Sequence, residues 1–382
     1  MTPTIETAKV ADRRELLDML AAAFRVENPS HPGFDFLYAD LFDPTDEAMA
    51  CHRIIRQDGR IVACVGCYPQ TLVLGPATVK MFGIGQVSCL SEYRGRGFMT
   101  ALMNDTVAHM ESTSAPMSWL GGRRDRYAHF GWEVAGTAMR CRLSRKTLAP
   151  APEGFDIASR PAAEAATDNR LWTLYTHQPV RCVYPHETWL RKLTRGNPQI
   201  LWTASPQHAP AEAVPAAFAV APHNSDSILE YGGEFHALHA LLAAIADQNS
   251  QGAVSVPCCP GATPQTNYFW PRAEWVSPEL LNLRIHNLPR LLEAYAPIWQ
   301  PNVPEGERAT LVMLRGETPQ RCTLGNNPAR RSEDELHLDE LQMVRLLFGP
   351  WSPSAVTHLP PSLRWLNQIF PLPFTVPMPS HV

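Results

Sequence analysis

Tyr93-Arg94-Gly95-Arg96-Gly97-Phe98-Met99 joins a strand-like run, Ile84–Leu90, to an amphipathic stretch that reaches Met110. Met99, Leu102, Met103, Thr106 and Met110 recur at helical spacing and predict a helix with one inward face. A helix that starts this way leaves backbone N–H groups without partners, and its dipole adds partial positive charge at the same end. Two glycines let the chain bend tightly and approach a ligand without a Cβ. Arg94 and Arg96 add cationic charge, so the turn suits a pyrophosphate. The same residues also fit an ordinary strand-to-helix turn with solvated arginines. There is no Gly-Lys-Ser/Thr, so this is not a Walker loop, and the G-x-G-x-x-G spacing of a dinucleotide fingerprint fails.

Around that turn, strand and helix patterns alternate. Thr4–Val10 reads as a strand, Arg13–Phe24 as a helix, and His52–Ile55 with Arg60–Cys67 as a hairpin through Asp58-Gly59. Thr71–Leu74 and Thr78–Phe82 flank a second turn at Gly75-Pro76. Met117–Leu120 is strand-like, Arg123–His129 a short helix, and Trp132–Leu143 the expected closing strand. This is an α/β pattern with a mixed sheet. Proline then marks a boundary: residues 1–140 hold 7 of the 36 prolines, and a Pro/Gly linker runs from Leu148 to Gly154. Residues 152–278 read as a weaker echo, with strands at 157–160, 216–220 and 227–231 and helices at 162–176 and 235–247. The last segment has strand-like runs at 281–286 and 309–314, helices at 288–295 and 338–347, and a proline-rich tail.

Composition narrows the function. The chain has 382 residues, 45% of them hydrophobic, with a net charge of −4, enough apolar sequence for two or three domains. Mild acidity without a basic stripe argues against a nucleic-acid partner. No apolar run reaches the roughly 20 residues of a membrane span, and the charged start lacks a signal-peptide core. The expectation is a soluble, cytoplasmic protein. Nine scattered cysteines, with Cys64-Val65-Gly66-Cys67 inside a strand-like run, read as packed thiols, and no metal site is expected.

A second signal lies thirty residues beyond the turn, at Tyr127-Ala128-His129-Phe130-Gly131-Trp132. A phenol is neutral at pH 7 and can give a proton to a developing thiolate. A buried core tyrosine fits the same residues. Together the two signals resemble the GNAT acetyltransferase superfamily. Its acetyl-CoA loop, Gln/Arg-x-x-Gly-x-Gly/Ala, is met at Arg94 and Gly97, and departed from at Met99, which replaces the small final residue. That departure is similar to one branch, the Eis-type (enhanced intracellular survival) acetyltransferases. The matching stretches are His52–Val62, Val87–Met99 and Arg126–Trp132, with Arg181–Trp189, Leu338–Leu347 and Leu366–Pro371 further on.

The resemblance implies two GNAT copies in tandem and a C-terminal α+β sterol-carrier-protein-like domain. Residues 1–147 become the catalytic copy, 152–278 a degenerate copy, and 279–382 the last domain, whose end reaches the active site. Tyr231-Gly232-Gly233-Glu234-Phe235 stands where the second phosphate loop belongs and lacks its cationic residues, so this copy is not expected to bind CoA. Acetyl-CoA is the implied co-substrate. Its pantetheine arm maps onto Val87, Ser88 and Cys89, its pyrophosphate onto Gly95, Arg96, Gly97, Phe98, Met99 and Thr100 beside Arg94, and Gly122 and Arg123 also touch it. Tyr127 matches the proton donor to the departing thiolate. The terminal carboxylate of Val382 matches the proton acceptor, with His381 as the competing base. The family tail often ends in an aromatic residue, and this one ends in Pro379-Ser380-His381-Val382.

Direct attack of an amine on the thioester then needs no cysteine relay, so Cys89 reads as packing. The resemblance implies a primary amine acceptor (aminoglycoside-, polyamine- or lysine-like), small or carried on a lysine, and a homo-oligomer, by family a hexamer. The acceptor pocket is expected along Phe24–Phe42, where Phe34, Phe36, Tyr38 and Phe42 alternate with Asp35 and Asp40; an amphipathic surface helix fits these residues as well. The competing function is a catalytically silent GNAT-fold protein that holds an apolar ligand in the sterol-carrier-like domain.

Overall fold

Asp58 and Gly59, both at positive φ (52° and 78°), form the two-residue turn that opens the main hairpin. Such a turn matches the natural twist of its flanking strands. The computed structural model describes residues 3–26, 28–196, 198–210, 212–325 and 335–382. In chain order the first unit contains β1 (Ile5–Thr7), α1 (Arg13–Arg25), α2 (Phe34–Leu37), α3 (Asp46–Met49), β2 (His52–Gln57), β3 (Arg60–Leu74) and β4 (Ala77–Cys89). It continues with α4 (Phe98–Glu111), β5 (Met117–Leu120), α5 (Arg124–Tyr127) and β6 (Glu133–Ala135). Leu16 and Leu20 of α1 and Leu102 and Met103 of α4 are fully buried in one core with Ile54, Val62 and Val65 of the sheet. Each such side chain contributes roughly 1.5–3 kcal/mol by leaving water.

The strands of this mixed sheet run β1-β2-β3-β4-β5, then Leu281–Ile285, then β6. The strand expected over 132–143 is therefore two strands in two sheets. After β6, Gly136 turns at φ 123° and gives its N–H to Phe348, and the chain leaves the sheet. β7 (Met139–Ser144) pairs instead with Ala253–Cys258 and Trp275–Pro278 of the middle segment. Its vacated place beside β5 is filled by Leu281–Ile285, antiparallel to both β5 and β6. The exchange ties the three segments of the chain into one body.

The middle segment adds a sheet of Phe155–Pro161, Gln199–Pro206, Ala217–Pro222 and Glu230–Gly233, backed by the helix Phe235–Gln248. The helix expected over 162–176 is a 3-10 turn followed by a helix from Asn169, because Asp168 caps the Arg170 N–H between them. The last segment carries a small sheet of Arg308–Leu314, Gln320–Gly325 and Glu335–Asp339 and a helix, Glu340–Phe348, opened by the Asp339/Gln342 capping box. Buried Arg284 bonds Glu111 at 2.7 Å and Glu340 at 3.1 Å, which fastens the end of α4 to that helix. Among the described residues no helix is long and apolar enough to cross a membrane, and no cluster of three or more His, Cys, Asp or Glu side chains is placed to hold a metal ion.

Candidate active site

β4 and β5 run parallel but pair only from Met81–Ile84 to Met117–Leu120. Past Ile84 they part, while β4 stays paired to β3 on its other edge. The divergence begins at a bulge in which Gln86 has φ 50°. Tyr68 holds that bulge: its hydroxyl lies 2.5 Å from Gln86 Oε1 and 2.8 Å from His52 Nε2. His52 Nδ1 lies 3.2 Å from the Met49 carbonyl, which can only accept, so Nδ1 carries the imidazole proton and Nε2 is an acceptor that competes with Gln86 Oε1 for the single Tyr68 proton. Burial pushes His52 down to about 4, so the ring stays neutral. The unpaired edge of β4 beyond Ile84 leaves backbone groups facing a gap.

One mouth of the gap is a cleft of about 480 Å³ whose wall includes Val87, Ser88, Cys89, Arg94, Gly95, Gly97, Phe98, Met99 and Thr100. Gly95 and Gly97 sit at φ 78° and 76°, which only glycine adopts freely, and Gly97 is the N-cap of α4. No side chain caps that helix, so its first N–H groups are left without side-chain partners at the cleft wall, as an anion site requires. Sequence reading missed the opposite wall, Ala23 and Phe24 at the end of α1, and also Tyr93 and Arg126. Three expected residues stand outside the wall. Arg96 turns back to the Glu92 carbonyl and lies over Tyr93, Arg123 bonds Asp125 at 2.6 and 3.0 Å, and Gly122 gives its carbonyl to Asn282. Burial raises the Cys89 thiol, and its Sγ bonds the Leu90 carbonyl, as a packing role requires.

Tyr127 closes α5 and is buried beside the end of β5; a Cβ on Gly122 would lie 3.2 Å from its ring. Burial raises the phenol above its usual value against the pull of Arg126, so it keeps its proton at neutral pH.

The chain's last residue occupies the other side of the gap. A Cβ on Gly85 would lie 2.8 Å from the carboxyl carbon of Val382, and one on Gly83 would lie 2.7 Å from its side chain. The tail is held by name. Trp119 Nε1 donates to Gln70 Oε1, and Gln70 Nε2 donates to the Ser380 carbonyl, each at 2.8 Å. Arg195 donates to the carbonyls of Pro379 (3.1 Å) and His381 (2.7 Å). His381 turns away: its Nε2 bonds the Val376 carbonyl, its ring packs 5.0 Å from Trp119, and burial lowers its pKa.

The expected acceptor segment is mostly occupied by its own contacts. Phe34 and Phe42 are core residues. Asp40 pairs with Arg195 and with Lys192 at 2.9 Å, all three nearly inaccessible. Burial alone would raise Asp40, but the two cations hold it below the usual carboxylate range.

Residues 4–135 match the Acetyltransferase (GNAT) domain family. The whole chain is similar in fold to solved structures of a GCN5-related N-acetyltransferase from Anabaena variabilis (17% identity, covering 96% of this chain and 97% of that one, TM-score 0.68). It is similar in the same way to a GCN5-related N-acetyltransferase from Kribbella flavida (17%, 96% and 97%, 0.63). A third is Eis1 from Mycobacterium abscessus (13%, 99% and 100%, 0.67). No match was found among curated proteins. The fold is the mixed α/β GNAT fold, and residues 4–135 form a GNAT acetyltransferase domain. The protein is accordingly an acyltransferase.

Proposed function

We propose that the chain is an Eis-type N-acetyltransferase that moves the acetyl group of acetyl-CoA directly to a primary amine. The observation that carries the reading is the seating of the Val382 carboxyl group on Gly85, where β4 leaves β5. Acetyl-CoA lies along Val87–Cys89 with its pyrophosphate at the glycine-capped start of α4. The Val382 carboxylate takes a proton from the incoming ammonium. The freed nitrogen attacks the thioester carbon, and N–H groups on the unpaired edge of β4 receive the oxyanion. The nitrogen, cationic after attack, releases its second proton to solvent, the C–S bond breaks as Tyr127 gives its proton to sulfur, and solvent restores the phenol. The neutral, buried phenol and the tail's fixed hydrogen bonds support these roles.

The middle segment is read as a second GNAT copy that does not take CoA. Its helix Phe235–Gln248 is capped by Glu234, whose carboxylate accepts from the His236 and Ala237 N–H groups. An acid therefore stands where a phosphate would bind. Residues 279–382 are read as the sterol-carrier-like domain that delivers the tail, apart from Leu281–Ile285 in the first sheet. The acceptor is an aminoglycoside-, polyamine- or lysine-like amine. Thiol release from acetyl-CoA against a panel of these amines, with the product weighed by mass spectrometry, tests the reading. An acceptor heavier by one acetyl group is expected; acetyl-CoA that neither binds nor turns over with any amine overturns it.

A further inference from the structure

A second cavity, about 370 Å³, shares no wall residue with the acetyl-CoA cleft. It opens in the middle segment between the strand Glu230–Gly233 and the end of Ala253–Cys258. The two chains run parallel at the Ser227–Ser255 bridge and then part, as β4 and β5 do in the first unit. The proline-rich tail, from Thr375 to Met378 together with His381, roofs the space. Val180, Leu229 and Leu281 make much of the wall apolar.

One wall residue does not belong in apolar surroundings. Glu230 is 8% exposed, and its Oε2 accepts a single hydrogen bond, from Trp189 Nε1 at 3.1 Å. Among the described residues Oε1 has no hydrogen-bond partner and no Lys or Arg pairs with this carboxyl. Among the described residues the other acids buried to this degree, Glu133 and Asp168, each pair with arginine. The cavity wall contains no Lys or Arg, while Glu279 adds a second acid that is already held by Arg140 at 2.7 Å. A buried carboxylate without a counter-charge is unfavourable, and a cation entering the cavity removes that penalty.

We propose that this cavity is a binding site for a small primary amine in its ammonium form, with Glu230 as the counter-ion and the apolar wall around the ligand's carbon body. The site is separate from acyl transfer and stands whether or not the chain acetylates anything.

The test is calorimetric titration of the full chain, without acetyl-CoA, using cyclohexylamine and its neutral counterpart cyclohexanol. Saturable binding of the amine is expected, with the alcohol about tenfold weaker or worse, as loss of a charge-assisted bond predicts. Glu230→Gln keeps an acceptor for Trp189 and should lose a similar factor for the amine only. Leu280→Trp, which fills the cavity from its partly exposed rim, should abolish binding, and it carries the test if the first variant does not fold. Equal binding of amine and alcohol, unchanged amine affinity in Glu230→Gln, or no saturable binding of either compound overturns the proposal.

Discussion

Gly85 and Val382 are in direct apposition: the Val382 carboxyl carbon lies within 2.8 Å of where a Cβ at position 85 would begin. A methyl group on Gly85 would stand 2.8 Å from the Val382 carboxyl carbon, closer than packed atoms approach, so Gly85→Ala must move the tail. We expect kcat to fall at least about tenfold, with the KM for acetyl-CoA little changed, because the cleft lies on the other side of the gap. Steady-state thiol release checks this; a shift in KM alone would place Gly85 in cofactor binding instead.

Tyr127→Phe removes the proton and keeps the ring. If the phenol protonates the departing sulfur, kcat falls by about 10²–10⁴, the usual scale of general-acid catalysis. Acetyl-CoA affinity, read by calorimetry, should stay within about threefold. Unchanged kcat would return Tyr127 to a purely packing role.

At φ 76° Gly97 has open space where a Cβ would go, so Gly97→Ala meets strain rather than a clash. The strain is ~1–2 kcal/mol. Relief by reshaping the start of α4 would misdirect its N–H groups, and the KM for acetyl-CoA should rise about tenfold. A variant with normal KM and lowered stability would show that the turn serves folding alone.

Asp40 is the shared counter-ion of two buried cations, Arg195 and Lys192, whose side chains are only 9% and 4% exposed. Asp40→Asn leaves that charge unmatched, and breaking such a cluster typically costs ~3–5 kcal/mol. Denaturant unfolding measures the loss. Because Arg195 also holds the Pro379 and His381 carbonyls, protease susceptibility of the tail should rise in the same variant.

Glu230 predicts a pH signature. Burial pushes its carboxyl up to about 7 from 4.5, against the Trp189 bond. Between those values the folded chain keeps a proton that the unfolded chain has lost, so this stabilisation is complete below pH 4.5 and is lost as pH rises through 7. The full span is ~3 kcal/mol. Glu230→Gln has no such proton, so its stability relative to the parent should rise by about that amount from pH 4.5 to pH 8. Denaturant midpoints at the two pH values decide it, and a constant difference would contradict the assignment.

The cleft was legible in the sequence because its causes are local. Gly95, Gly97 and the apolar stripe from Met99 to Met110 act within one turn and one helix. The rest depends on contacts far apart in the chain. Gln70 reaches Ser380 across 310 positions, and Arg195 reaches Asp40 across 155, so neither side chain announces that it holds a tail. The strand exchange was hidden for a related reason. The alternation in Met139–Ser144 requires a partner strand but does not say which, and Gly136 looks like any other loop glycine. Asp35 and Asp40 read alike along the chain, yet Asp40 is buried between two cations. Arg123 was expected at the cofactor from the family resemblance, and its contact with Asp125, two residues on, is not announced by the sequence.

The most direct test of the account replaces one atom group. The full-length chain is prepared with its Val382 carboxylate converted to the α-carboxamide and compared with the unmodified chain in acetyl-CoA turnover on the best acceptor amine. The tail, its hydrogen bonds and its length are unchanged, and only the proposed proton acceptor is lost. The account predicts a fall in kcat of about 10²-fold or more with unchanged acetyl-CoA affinity. Equal turnover by the two forms would contradict it.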